Sequence, residues 1–183
     1  MTKFHKSFIL SPIGNWGDTS FLTYIIKEIE RVFGYPSKIS VLIDNIDFAF
    51  NSTRNQYHST PILQKFSSLS PPNIMKILSL TDVDLFIPIL TYVYGEAELG
   101  GKSAILSTYR LKEELPPQNR DEVYLFRLIK ESLHELGHTF NLRHCRDSKC
   151  LMHYARNIRD VDNKTDNLCR YCKILLEDEI KKL

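Results

Sequence analysis

The stretch HELGHTFNLRHC spans residues 134–145 and contains three histidines and a cysteine. Upstream of it, apolar side chains recur at steps of three and four residues, which is the period of an amphipathic helix. These positions are Val123, Phe126, Ile129, Leu133, Leu136 and Phe140. Asn119 and Glu122 have the spacing of a capping box. We therefore predict one long helix, over about residues 119–140, that carries the first two histidines near its end.

His134 and His138 are four residues apart, so on a helix their side chains stand one turn apart on one face. Two imidazoles placed in this way can share a zinc ion at about 2 Å each. Glu135 lies about 100° further around the helix, where it can reach a zinc-bound water instead of the metal. The alternative is an ordinary pair of surface or core histidines, because a motif this short also occurs by chance.

His144 tests the metal-site interpretation. If the helix continued, His144 would lie about 9 Å further along the axis than His138, too far away to share a metal. The chain must therefore break and turn back before His144. Asn141 suits such a break, since asparagine tolerates the left-handed conformation that ends many helices. We predict a zinc site formed by His134, His138 and His144, with Glu135 as general base.

All four cysteines lie in the last 40 or so residues of the chain: Cys145, Cys150, Cys169 and Cys172. Four thiolates form a closed tetrahedral zinc site with no open position, which is a structural site. Clustering of this kind in a reducing compartment argues against disulfides. Two disulfides or four free thiols remain alternatives. Because Cys145 directly follows His144, the two zinc centres would be mechanically linked.

This combined pattern resembles the archaemetzincin signature within the metzincin metallopeptidases. It reads HExxHxxNxxHC from His134, followed by Cys150, Met152 and a CxxC pair at 169–172. The resemblance implies two zinc ions per chain, one catalytic and one structural, and a Met-turn formed by Met152 beneath the catalytic zinc. A plain core methionine is the alternative for Met152. The family usually has glycine where this chain has Asn141, and we expect the turn to survive because asparagine holds a positive φ at modest cost.

Tyr154 follows Met152 by two residues. In the related astacin-like metzincins a tyrosine at this spacing approaches the zinc and stabilises the oxyanion, so Tyr154 is a candidate for the same role. A half-buried tyrosine without contact to the zinc is the alternative. We expect His153 to be exposed, and we interpret His5 and His58 as structural or surface residues.

The fold class predicted from the alternation of strands and helices is α/β, with a largely parallel sheet. Strands are expected at 3–11, 39–43, 83–90, 91–99 and 103–108. Helices are expected at 19–33, at 61–80 in two pieces, at 119–140 and at 170–182. The resemblance implies a metzincin-like domain over 1–183, with a twisted mixed sheet and two long helices. Its upper subdomain, 1–140, would end in the active-site helix, and 141–183 would form a small zinc-stabilised lower subdomain.

The net charge of +2 is too small to indicate nucleic-acid binding, and acidic residues interleave with the basic ones in the tail. The chain contains no apolar stretch long enough to span a membrane and no signal-peptide pattern, so a cytoplasmic protein is expected. A monomer is favoured.

The predicted function is that of a zinc-dependent peptidase acting on a peptide or protein substrate. A zinc-stabilised binding or interaction module with an idle histidine site is the alternative; the intact Glu135 favours the enzyme. Residues 91–99 are the candidate edge strand along which an extended substrate would lie, or an ordinary edge strand. Aminopeptidase and endopeptidase activity are both open.

Overall fold

The structure, a computed structural model, describes residues 6–183. Its strands are β1 Ser7–Pro12, β2 Ser37–Ile39, β3 Phe50–Asn51, β4 Gln56–His58, β5 Ile74–Thr81, β6 Leu85–Phe86, β7 Gly95–Ala97 and β8 Ser103–Ser107. Its α-helices are α1 Phe21–Phe33, α2 Ser59–Leu69, α3 Arg120–Thr139, α4 Ile158–Asn163 and α5 Arg170–Lys181.

The main sheet has five strands in the order β2-β1-β5-β8-β7. The first four are parallel, and β7 pairs antiparallel with β8 at one edge. Helices α1 and α3 cover one face and α2 packs against the other, so both faces are buried. A second, three-stranded sheet has the order β3-β4-β6. This arrangement confirms the predicted α/β class with a mixed, largely parallel sheet.

The long helices were predicted well because strong local signals mark their ends. Helix α1 ends at Gly34, which has φ 77° and donates its N–H to Glu30 O at 3.0 Å. Helix α3 lies within the predicted span, and α5 matches its prediction closely. The prediction of a capping box is wrong. Asn119 has φ 56°, and within the described residues 6–183 its side chain accepts no hydrogen bond from the backbone N–H groups at the start of α3.

The prediction of helix over 61–80 is wrong in its second half. Only α2 is helical, and Ile74–Thr81 is the central strand β5, with all eight residues buried. A short apolar run has the same appearance in a buried strand and in a buried helix, which explains the error.

Several strand predictions were wrong in extent. Of the strand predicted at 91–99, only three residues are strand, and of the strand predicted at 83–90, only two are. The strand expected at 39–43 lies at Ser37–Ile39. Helix α4 was not predicted. Residues 3–5 of the first predicted strand, and His5, lie outside the described residues. Among residues 6–183, no helix is both long and apolar enough to cross a membrane.

A buried lysine joins the central strand to the end of α3. Lys76 on β5 donates its Nζ hydrogens to Thr139 O at 2.6 Å and to Gly101 O at 2.7 Å. The first carbonyl belongs to the last turn of α3 and the second to the loop between β7 and β8. Burial lowers the pKa of Lys76 to about 8.

The lowered pKa of Lys76 predicts a pH dependence of stability. The unfolded chain keeps this proton up to a pKa of 10.5, whereas the folded chain releases it at about 8. The free energy of unfolding should therefore rise between pH 8 and 10.5 by on the order of 2 kcal/mol relative to Lys76→Met. Denaturant unfolding at several pH values measures this difference. Lys65→Met, which removes an exposed lysine of α2, is the control. Parallel curves for wild type and Lys76→Met would contradict the prediction.

Candidate functional site

The three histidines of the motif converge on one point, although His144 lies beyond the end of α3. One ring nitrogen from each of His134, His138 and His144 lies within 4.8 Å of the others. The Nε2 atoms of His134 and His138 are 3.1 Å apart. Two nitrogens bound tetrahedrally to one zinc are about 3.4 Å apart, so this donor set fits a zinc ion after small adjustments.

The helix breaks at Asn141, as predicted. Asn141 has φ 62° and donates its N–H to His138 O at 2.9 Å, while the N–H of Leu142 donates to Gly137 O at 3.2 Å. This pair of hydrogen bonds is a Schellman motif, normally built on glycine. It reverses the chain and brings His144 back to the other two histidines.

Backbone carbonyls orient the two helical histidines. His134 Nδ1 lies 2.9 Å from Leu151 O, and His138 Nδ1 lies 2.7 Å from Leu142 O. Because a carbonyl only accepts, each Nδ1 carries the proton and each Nε2 is free for a metal.

The environment of the three histidines lowers their pKa values. Burial lowers the pKa of His134 well below its ordinary range, with the nearby Lys164 ammonium adding to the effect. Burial also lowers the pKa of His138, and it lowers the pKa of His144 to about 4. Neutral imidazole is the form that ligates a metal.

Glu135 faces the edge strand β7 at very close range. A Cβ atom added to Gly95 would lie 2.7 Å from Glu135 Cγ and 2.5 Å from Ile105 O. Only glycine fits there. Burial raises the pKa of Glu135 well above its ordinary range, and the neighbouring Glu131 raises it further. Gly95 was missed in the sequence because its requirement comes from a contact 40 positions away.

Met152 is fully buried and packs under α3. A Cβ atom added to Gly137 would lie 2.5 Å from Met152 Sδ, so the glycine within the motif makes room for this methionine. The Tyr154 ring centroid lies 4.9 Å from that of His144, and the tyrosine is 41% exposed. His153, expected to be exposed, is half-buried, with Nδ1 2.9 Å from Cys145 O.

The four cysteines form a second cluster beside the first. Their Sγ atoms lie within 4.8 Å of one another, and the four thiols are unbridged. The sulfurs of Cys145 and Cys169 are 3.8 Å apart. Thiolates bound tetrahedrally to zinc at about 2.3 Å are about 3.8 Å apart, so this donor set also fits a zinc ion.

A row of buried charges joins α3 to the segment around α4. Arg127 forms a bidentate salt bridge with Asp162, in which each of the two hydrogen bonds is 2.7 Å long. Lys130 Nζ donates to the carbonyl of Val161 at 2.5 Å. Glu131 pairs with Lys164 at 2.7 Å, and both side chains are almost fully buried. These residues, which the sequence did not single out, hold the metal-site helix against the C-terminal part of the chain.

A cleft of about 360 Å³ lies above the histidines. One wall consists of residues 90–97, the opposite wall of residues 154–156, and the floor carries the histidines, Glu131 and Glu135. The edge strand β7, the candidate base and the candidate metal site therefore share one cavity.

Comparison with known proteins identifies the class of enzyme to which this chain belongs. The sequence profile of peptidase family M54 matches residues 21–178. Archaemetzincin of Methanocaldococcus jannaschii is 37% identical over 172 residues, covering 92% of each chain. The crystal structure of archaemetzincin from Methanopyrus kandleri matches with a TM-score of 0.84 at 31% identity, covering 99% of this chain and 98% of that one. That of archaemetzincin from Archaeoglobus fulgidus, complexed with malonate, matches with a TM-score of 0.76 at 30% identity, covering 92% and 99%.

The chain has the fold of these relatives and carries one histidine cluster and one cysteine cluster. Together with the family match, these features identify a zinc metallopeptidase. The chain belongs to peptidase family M54, the archaemetzincins. The resemblance read from the sequence is thereby confirmed.

Replacing Gly95 by alanine should damage the site through sterics alone. The new methyl group must displace the Ile105 carbonyl or the Glu135 side chain. We expect Gly95→Ala to lower the free energy of unfolding by about 1–3 kcal/mol. Denaturant unfolding measures the loss, and Gly17→Ala is the matched control, since a Cβ there meets nothing within 4 Å. Equal stability of the two variants would contradict the close contact between β7 and α3.

Proposed function

We propose that His134, His138 and His144 bind the catalytic zinc and that Glu135 is the general base of peptide-bond hydrolysis. The observation that carries the proposal is the convergence of three imidazoles beside the buried Glu135 in one cleft; His134 is buried, His138 half-buried and His144 exposed. A purely structural metal site needs no such carboxylate.

A zinc ion held by the three histidines would supply a Lewis acid and would lower the pKa of the attacking water. Glu135 takes a proton from the attacking water and delivers it to the leaving amine. We further propose that the Tyr154 hydroxyl stabilises the developing charge on the carbonyl oxygen, since its ring lies beside that of His144.

The substrate would lie extended along β7. This strand occupies an edge of the main sheet and lines the cleft, so its outer backbone groups are placed to pair with a peptide. The contact between Gly95 and Glu135 brings that edge next to the proposed base. A bound peptide chain would thus meet the catalytic groups by strand addition.

We propose that Cys145, Cys150, Cys169 and Cys172 bind a second, structural zinc, giving two zinc ions per chain. The cluster ties three separate segments of the C-terminal region together. In this proposal the lower subdomain, 141–183, depends on metal for its order, and the upper subdomain, 1–140, ends in α3. Both subdomains form one metallopeptidase domain.

Glu135→Gln tests the base. We expect the variant to retain zinc and fold, because the amide is isosteric with the carboxylate, while peptide cleavage falls by about 10²–10⁴-fold.

Tyr154→Phe should lower kcat by about tenfold with little effect on KM. Peptide-library cleavage and metal analysis measure both effects.

Glu122→Gln, on the exposed first turn of α3, is the control. Full activity in Glu135→Gln would exclude Glu135 as the base. Bound zinc at the histidines without cleavage of any peptide by wild type would indicate the alternative, a binding module.

Cys172→Ser tests the structural metal. Loss of one thiolate should remove one zinc per chain and leave the other at the histidines, as counted by metal analysis. The free energy of unfolding should fall by several kcal/mol, because metal binding at such a site contributes to folding. Ser132→Ala, which changes a buried hydroxyl of α3 away from the cysteines, is the control. An unchanged zinc content in Cys172→Ser would overturn the proposal.

A further inference from the structure

The two walls of the cleft touch at Tyr92 and Arg156. Residues 90–94, which lie between β6 and β7, belong to one wall, and residues 154–156 form the other. The hydroxyl of Tyr92 donates to Arg156 O at 3.3 Å. This contact, which we call the Tyr92–Arg156 crossing, spans the cleft from wall to wall.

The Tyr92 ring is held firmly from behind. The guanidinium of Arg110 lies over this ring, 4.0 Å from its centroid. Arg110 is itself fixed by two hydrogen bonds of 2.7 Å to Asp84. On another side, the buried Tyr94 ring packs edge-on against Tyr92 at 5.6 Å. These contacts restrict the ring to the position from which it reaches Arg156.

The backbone that carries Tyr92 is anchored as well. Arg54 donates to Leu90 O at 2.8 Å and to Thr91 O at 2.9 Å. Gln56 Nε2 donates to the same Thr91 carbonyl at 3.0 Å and to Asp84 Oδ2 at 2.9 Å. The wall is thus fixed by side chains of the second sheet. The position of the Tyr92 side chain is therefore set by contacts on several sides and is not that of a free surface tyrosine.

The position of the crossing limits the length of a bound peptide. Gly95 marks the point where β7 meets Glu135, and Tyr92 precedes it by three residues. Three residues of chain span at most about 10 Å, which is the length of about three residues of an extended peptide. A peptide paired with β7 would meet the crossing after that distance. Beyond the other end of β7, Leu99 and Gly100 are exposed, so a bound peptide can extend past that end.

We propose that the Tyr92–Arg156 crossing closes one end of the cleft, so that the substrate is a peptide with at most about three residues on that side of the cleaved bond. The proposal rests on the proposed function and names its substrate class: chains cut close to one terminus. Tyr92 is the specificity-determining residue, and Arg110, Asp84 and Arg54 are positioning residues for it.

The experiment uses two series of quenched fluorescent peptides with a common cleavable core. One series is extended by one to six Gly/Ser residues on the amino side, and the other by the same residues on the carboxyl side. For the zinc-loaded protein, we expect kcat/KM to fall by about tenfold or more in one series once the extension exceeds about three residues. The other series should stay within about threefold throughout.

Variants of Tyr92 identify the cause of the limit. Tyr92→Ala should restore long peptides to within about threefold of short ones, and Tyr92→Phe, which keeps the packed ring and loses the donor, should relieve the limit partly. Tyr109→Ala, which removes a half-exposed tyrosine outside the cleft, is the matched control and should keep the limit. Circular dichroism checks that each variant is folded.

Two results would overturn the closed end: a wild type that accepts six residues on both sides, or a length limit that persists in both folded Tyr92 variants. Absence of all cleavage would instead count against the proposed function. Binding of the same peptides to the zinc-loaded wild type, measured by fluorescence anisotropy, then decides. A length limit in affinity on one side supports the closed end, and equal affinity across both series overturns it.

Discussion

The left-handed turn at Asn141 is the constraint on which the site depends. A helix can present two histidines on one face but cannot present a third ligand six residues further on. The turn resolves this problem, and its hydrogen bonds also reach the site itself. Asn141 donates to His138 O, and Leu142, the next residue, accepts from the His138 ring. Gly100 N–H donates to the same His138 carbonyl at 2.9 Å, so the loop after β7 is attached to the turn. One reversal of the chain thus positions His144, the His138 ring and the loop after β7.

Buried charges give the active-site helix its second attachment. The face of α3 that points to the C-terminal region carries Arg127, Lys130 and Glu131 instead of apolar side chains. Arg127 pairs with Asp162, Lys130 donates to the carbonyl of Val161, and Glu131 forms an ion pair with Lys164. Breaking such a buried pair on one side leaves an uncompensated charge, which is far more costly than replacing both partners. The polar contacts therefore specify how α4 docks, while the apolar face of α3 packs on the sheet.

The convergence of the three histidines was predictable because its geometry is local: the spacing of His134 and His138 follows from helix pitch, and Asn141 has an intrinsic tolerance for positive φ. The same reasoning failed where the decisive contact is distant in sequence. Gly95 is required by a carbonyl and a glutamate from other elements, which no pattern around it reveals. Lys164 carries a charge, and charged residues are expected at the surface unless paired. Strand β5 was mistaken for helix because burial on both faces removes the period that separates the two.

In the proposed two-zinc protein, the adjacency of His144 and Cys145 links the two metal-binding equilibria thermodynamically. Their Cα atoms are about 3.8 Å apart across one peptide bond, and the N–H of Cys145 is fixed by Met152 O at 2.8 Å. Ordering of the thiols restricts the backbone at His144 before any metal arrives there, which reduces the entropy lost when that imidazole binds. Linkage is reciprocal, so a metal held by the imidazoles must favour metal at the thiols by the same factor. With zinc at both clusters as proposed, the affinity of each cluster for its ion would be a property of the pair, and zinc scarcity would act on fold and catalysis together.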